Sequence, residues 1–161
     1  MIVKEFIEDY LIKQIGEIKD KYPYFAFLLM AVGIEFLGKC LNKSKKWDKT
    51  GRAKKDFNLG LKQFPDKYKN PNLYENLRCG MAHSFQPNNG LKISNVGGND
   101  STCISCDEFY IAFKTACEKV LSGEVPMPIK NLYSDFLEVR EDGLQSISGA
   151  TQNDVSVKEQ Y

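Results

Sequence analysis

Arg78 and His83 are the two residues of this chain whose types and spacing best fit a catalytic pair. His83 is the only histidine among the 161 residues, and Arg78 precedes it with four residues between them. An imidazole accepts or donates a proton near neutral pH, whereas a guanidinium stays charged and binds phosphate or carboxylate oxygens. The pair could therefore combine proton transfer with stabilisation of a developing negative charge.

Residues 71–85, which contain the pair, have the pattern of an amphipathic helix that begins at Pro71. One face is apolar, with Leu73, Leu77 and Met81 at helical spacing. The opposite face is polar and carries Asn72, Asn76, Cys79 and His83, with Arg78 between the two faces. On an ideal helix Arg78 and His83 point about 140° apart, so a second subunit or a long reach by the arginine is needed to bring them together. Asn76 and Cys79 are expected to support the pair.

At these residues the chain resembles a known family. Arg78, four intervening residues and His83 on a helix is similar to the R-x4-H signature of the HEPN superfamily, and Leu-Tyr-Glu-Asn-Leu-Arg-Cys-Gly-Met-Ala-His-Ser-Phe is similar to its uncharacterised bacterial members. Many HEPN proteins are metal-independent endoribonucleases, found as toxins, abortive-infection proteins and CRISPR-associated nucleases. The resemblance implies that Arg78 and His83 are catalytic, that RNA is cleaved to a 2′,3′-cyclic phosphate without a cofactor, and that the protein is a homodimer, with an antitoxin or other protein as a further partner.

Cys79 departs from the family pattern. Active HEPN proteins usually have a polar residue such as Asn, Asp or His directly after the arginine, where this chain has cysteine. Other HEPN proteins have lost activity and only bind. A second hypothesis therefore stays open, in which the chain is a catalytically inactive HEPN-like module that binds RNA, a nucleotide or a protein partner.

A basic stretch, residues 42–56, offers a surface for RNA. It contains seven cations, two acids and the only tryptophan of the chain. Cations beside an aromatic ring suit a phosphate backbone and a stacked base, which predicts RNA contacts from Lys45, Lys46, Trp47 and Arg52. The alternative is a solvated connection between helices whose Trp47 packs on the core. Because the net charge of the whole chain is only +1, any attraction to nucleic acid must come from such a local patch.

The cysteines allow two competing site hypotheses. Cys103 and Cys106, together with Cys79 and His83, could form a Cys3His zinc set, although their spacing is not that of a standard zinc finger. Cys79 and His83 could also form a hydrolase pair, but a nucleophile and its base normally come from separate elements. The main expectation is therefore a site without metal or cofactor.

The hydrophobic pattern predicts an all-α helical bundle of four to six helices, and the resemblance implies that this bundle is HEPN-like. Helices are expected over residues 3–20, 23–41 and about 52–64, with the second apolar all round and central to the core. Residues 91–105 suggest a small β-hairpin inserted before the last core helix, which ends at residue 121. The predicted organisation is a bundle over 1–122, an additional C-terminal helix within 123–141 that packs on the bundle or a partner, and a flexible tail over 142–161.

Glu35 lies inside the second predicted helix. A buried carboxylate there must be paired or protonated, and it could orient a catalytic group. The alternative is that Glu35 lies near the exposed end of the helix and pairs with Lys39, one turn later. Both residues also interrupt the apolar run and argue against a membrane span.

The first residues and the cysteines indicate a compartment. Charges in the first turns of the chain are unlike a signal peptide, and an odd number of five cysteines suits free thiols in a reducing environment. We therefore expect a cytoplasmic protein that does not use a membrane as partner.

Overall fold

The structure is a computed structural model that describes residues 2–43, 50–95 and 103–127, and this part of the chain is mainly helical, as predicted. Helix α1 covers residues 3–19 in three consecutive segments, Val3–Glu5, Phe6–Gln14 and Ile15–Lys19. The other helices are α2 (Pro23–Leu41), α3 (Ala53–Leu61), α4 (residues 74–84, as Tyr74–Cys79 and Gly80–Ser84) and α5 (Cys106–Leu121), with a single 3-10 turn at Asp66–Tyr68 before α4.

The five helices share one hydrophobic core around α2. Phe27, Met30 and Ile34 of α2 are fully covered, because helical spacing places them on its inner side. Each neighbouring helix contributes fully buried side chains of its own, namely Ile7 from α1, Phe57 from α3, Leu77 and Met81 from α4, and Phe109 and Phe113 from α5. Burial of such a side chain contributes about 1.5–3 kcal/mol, so the core stabilises every helix that meets α2.

Helices α2 and α3 approach each other closely at Gly38. A methyl group at this position would overlap the backbone carbonyl oxygen of Asp56, so only glycine allows the contact. The buried Asp56 carboxylate accepts a hydrogen bond from the Asn42 amide and lies 3.8 Å from the guanidinium of Arg52. These contacts fix the start of α3 against the end of α2.

Polar contacts tie α5 to the neighbouring helices. The Lys19 ammonium lies 2.6 Å from the Asp107 carboxylate, and the Tyr110 hydroxyl donates to the Ile12 carbonyl at 2.8 Å. Hydrogen bonds to Asp107 and Asp20 raise the pKa of Lys19 well above its ordinary value. The end of α1 is thereby joined to the start of α5.

The predicted β-hairpin is wrong in its strand direction. Two short strands, β1 (Lys92–Ser94) and β2 (Cys103–Ser105), do lie between α4 and α5, but they pair in parallel, with Ile93 opposite Ile104. Strand β2 continues without a break into α5, so its direction follows from the packing of that helix. The glycines at 97 and 98, which suggested a tight turn, lie outside the described residues.

Among the described helices, α2 alone is long and apolar enough to cross a membrane. Its most apolar window has a mean hydropathy of 1.7, and 61% of that window is buried inside the fold. The core helix of a soluble protein has the same properties, so the length and composition of α2 are weak support for a membrane span.

Several predicted features fall outside the described residues. These are Lys45, Lys46 and Trp47 of the basic stretch, most of the predicted helix within 123–141, and the whole of 142–161. The described chain ends with Val125 and Met127 packed against the core.

Candidate functional site

Helix α4 carries both Arg78 and His83, but it begins later than predicted. Pro71 lies in a turn in which the Leu73 amide donates to the Asn70 carbonyl at 3.0 Å. The first half of the helix, Tyr74–Cys79, is wound as a π-helix, and Gly80–Ser84 is α-helical. Because π-helical turns are wider, the ideal-helix angle between Arg78 and His83 does not strictly apply.

The Arg78 side chain is bound by Glu35 of α2. Its Nε and Nη2 each lie 2.9 Å from Oε2 of Glu35, and its Cζ lies 5.9 Å from the centre of the Tyr74 ring. The other oxygen of Glu35 is 3.4 Å from the Lys39 ammonium. Glu35 is only 7% exposed, so it is a buried, paired carboxylate: its predicted pairing with Lys39 is confirmed, whereas its predicted place near the exposed end of the helix is wrong.

Arg78 retains the capacity to bind an anion. A guanidinium has five N–H donors, and Glu35 engages two of its nitrogens through a single oxygen. The Arg78 side chain is 21% exposed, so part of it lies at the surface. Within the described part of the chain, two cations, Arg78 and Lys39, approach the Glu35 carboxylate.

His83 lies exposed in the last turn of α4. Its imidazole makes no hydrogen bond or ion pair with any residue in the described part of the chain, in contrast to Arg78. Phe85 then ends the helix with a left-handed backbone, φ +53°, and its carbonyl accepts a hydrogen bond from the Tyr24 hydroxyl. The structure therefore places Arg78 and His83 on one helix without joining their side chains to each other.

Asn76, expected to support the pair, instead anchors the loop that follows α4. Its backbone carbonyl accepts from the Asn88 amide at 2.8 Å, and its side-chain oxygen accepts from Asn89 at 2.8 Å. A methyl group at Gly80 would overlap the Gln86 carbonyl, so glycine lets this loop fold back across the helix. Asn76 thus fixes the loop that follows His83 in the sequence.

Cys79, the other expected supporting residue, is half-buried and close to Tyr74. Burial raises the pKa of the Tyr74 hydroxyl, and its contact with the Cys79 thiol raises that pKa further. The Tyr74 ring in turn packs against Phe57 of the core, at 5.5 Å between ring centres. Cys79 therefore belongs to the packing that holds the Arg78 end of α4.

The proposed zinc set is not assembled within the described residues. No three histidine, cysteine, aspartate or glutamate side chains there are placed to hold a metal ion. Cys106 is buried, and burial raises the pKa of its thiol to about 11. Cys103 is half-buried in β2.

Arg52 is the one predicted RNA contact inside the described residues. Its guanidinium pairs with the buried Asp56, and its side chain is 16% exposed. This position suits the docking of α3 better than contact with an extended ligand. The predicted basic stretch included Lys54 and Lys55 but ended before Asn58 and Lys62, which join them on the outward face of α3 to line an open groove of about 520 Å³. The signal was present, since these residues alternate with the buried Phe57 and Leu61 at helical spacing.

One side of α2 is exposed, although the sequence of this helix is apolar all round over its first three turns. Phe25 is 56% exposed, Leu29 43% and Val32 45%, and their spacing places them in one stripe along the helix. Phe85, 61% exposed, lies near the start of this stripe because its carbonyl is bonded by Tyr24. We call Phe25, Leu29, Val32 and Phe85 the apolar stripe.

No family model, curated protein or solved structure matches this chain. The HEPN resemblance therefore rests on the residues around Arg78 and His83.

Proposed function

We propose that this protein is a metal-independent endoribonuclease whose site is formed by Arg78 and His83. The observation that carries the proposal is the state of Arg78: Glu35 and Tyr74 fix its guanidinium, and donors remain for an anion beside the helix that ends in an exposed imidazole. A fixed cation and a free proton carrier are two of the groups that phosphodiester transfer uses. The R-x4-H resemblance supports the same assignment.

The proposed reaction is internal transfer at phosphorus. His83 removes the proton from a ribose 2′-OH, the 2′-oxygen bonds to the adjacent phosphorus, and the bond from phosphorus to the 5′-oxygen breaks. Arg78 binds the non-bridging oxygens, where negative charge develops. The products are a 2′,3′-cyclic phosphate and a 5′-hydroxyl, and the leaving oxygen must receive a proton from a second group.

A second copy of the chain would supply that second group. Each chain has one histidine, so a separate imidazole acid must come from another molecule. The apolar stripe gives such a copy a surface, because exposed apolar side chains in a row mark interaction sites. The Tyr24–Phe85 bond joins this stripe to the end of α4. A two-fold homodimer through the stripe would therefore bring two α4 helices together.

The second candidate function is a binding module without catalysis, whose ligand is RNA, a nucleotide or a protein such as an antitoxin. Its specific support is the Glu35–Arg78 ion pair, which already occupies part of the guanidinium, together with Cys79 at the position after the arginine. Tight RNA binding without turnover would favour this function. Either activity on RNA, together with the free thiols, fits the cytoplasm.

Cleavage of RNA in excess chelator tests the proposal. Wild-type protein, Arg78→Ala and His83→Ala are incubated with an end-labelled RNA pool and with DNA of the same sequence. We expect chelator-resistant cleavage of RNA only, at least ~100-fold slower in both variants because each removes one group of the reaction. Equal cleavage of DNA, or full activity in either variant, would overturn the mechanism.

A further inference from the structure

The outward face of α3 forms a groove whose charged residues are all cations. The groove has a volume of about 520 Å³ and is lined by Gly51, Lys54, Lys55, Asn58, Leu59 and Lys62. No carboxylate is among these residues, although the chain as a whole is close to neutral. Positive charge is therefore concentrated in this groove, although the net charge of the whole chain is only +1.

Two of the three lysines are free to bind a ligand. Lys55 and Lys62 are exposed and form no ion pair within the described part of the chain. Nearby Lys67 and Lys69, by contrast, are paired with Glu108 and Asp66, both at 2.7 Å. The α-helical rise places Lys55 and Lys62 about 10 Å apart along α3, a separation suited to more than one phosphate of a strand.

The groove lies beside the proposed site. The Lys54 ammonium is 2.6 Å from Glu75, which precedes Arg78 by three residues on α4. Gly60 of α3 packs against the backbone carbonyl of Ile34 on α2. Arg78 of α4 donates a hydrogen bond to Glu35, the next residue of α2. Helices α3 and α4 therefore pack on the same part of α2, and Lys54, at the edge of the groove, contacts the helix that carries Arg78.

We propose that this groove binds the phosphate backbone of single-stranded RNA and leads the strand to Arg78. Lys55 and Lys62 each neutralise a phosphate, Asn58 donates its amide hydrogens, and Leu59 offers an apolar surface to a sugar. The identity of the strand as the substrate rests on the proposed function. The groove itself needs only a chain of phosphates.

Fluorescence anisotropy with a fluorescein-labelled single-stranded RNA tests the groove. All proteins carry His83→Ala, so that cleavage does not interfere, and all are measured in chelator over a series of salt concentrations. Lys55→Gln/Lys62→Gln is compared with Lys13→Gln/Lys114→Gln, which removes two exposed lysines from α1 and α5. Circular dichroism checks that both double variants remain folded.

We expect the groove variant to bind at least ~10-fold more weakly at low salt, with a salt slope smaller by about 1.4, because two phosphate contacts are lost. The control variant keeps the affinity and slope of its parent. Unchanged affinity in the groove variant, or no binding by the parent, overturns the groove. Groove-dependent binding without any cleavage by wild-type protein supports the groove and rejects the nuclease, so the two proposals fail separately.

Discussion

At the scale of single residues, Glu35 explains how Arg78, the proposed catalytic arginine, is fixed while part of its side chain stays exposed. A carboxylate that is 7% exposed is costly unless it is paired, and Arg78 and Lys39 both approach it. The arginine thereby keeps one orientation before a ligand arrives, which reduces the ordering cost of binding. The buried Glu35 thus links α2 to α4 and also orients the arginine of the proposed site.

A double-mutant cycle measures the Glu35–Arg78 pair. Glu35→Gln and Arg78→Met should each lower the free energy of unfolding by about 1–3 kcal/mol, because either leaves a partly buried group without its partner. The loss of unfolding free energy in the double variant should be about 1 kcal/mol smaller than the sum of the two single losses. Urea unfolding provides the values. The exposed pair Lys114 and Glu118, 3.7 Å apart, is the control and should show almost no coupling. Additive losses at Glu35 and Arg78 would contradict the account.

At the scale of helices and strands, local patterns specified the elements and long-range packing decided how they meet. The bounds of α2 could be predicted, because Pro23 and an apolar run define them in the sequence. Its exposed stripe could not, since a helix that is apolar all round does not show which side its neighbours leave open. The direction of β2 follows from α5, and the partner of Glu35 is 43 positions away on α4. No local pattern contains either contact.

Gly38→Ala tests the close approach of α2 and α3. The added methyl group overlaps a backbone carbonyl that cannot move alone, so the helices must separate at a cost of ~2 kcal/mol or more. Thermal unfolding followed by circular dichroism measures the loss. Gly16→Ala on α1 is the matched control, because its methyl group meets only the movable Tyr110 side chain. Equal stability of the two variants would show that Gly38 does not control this contact.

At the scale of the whole molecule, the apolar stripe and the single histidine point to the same arrangement. The stripe leaves large apolar side chains in water, and the proposed reaction needs a second proton donor, for which each chain has no second histidine. A two-fold dimer answers both requirements with one interface. In that dimer the α3 groove of each chain would lead a strand toward the paired α4 helices.

Leu29→Glu should convert the dimer to a monomer that remains folded. Leu29 is 43% exposed, so the charge disturbs a partner more than it disturbs the core. Light scattering over a range of concentrations should give a dimer for wild-type protein and a monomer for this variant. Ile111→Glu is the control, since Ile111 is 64% exposed on α5 and lies outside the stripe. A wild-type protein that stays monomeric at every concentration would contradict the dimer.

The most direct measurement of the central claim is RNA cleavage by wild-type protein whose subunits have been exchanged with those of His83→Ala. The two proteins are mixed in equal amounts in chelator and assayed before and after exchange of subunits. If one cleavage uses the imidazoles of both copies, each mixed dimer contains only one histidine and is inactive, so exchange lowers the activity of the mixture to about half. No cleavage by wild-type protein, or no loss of activity on exchange, would contradict a ribonuclease site shared between two copies.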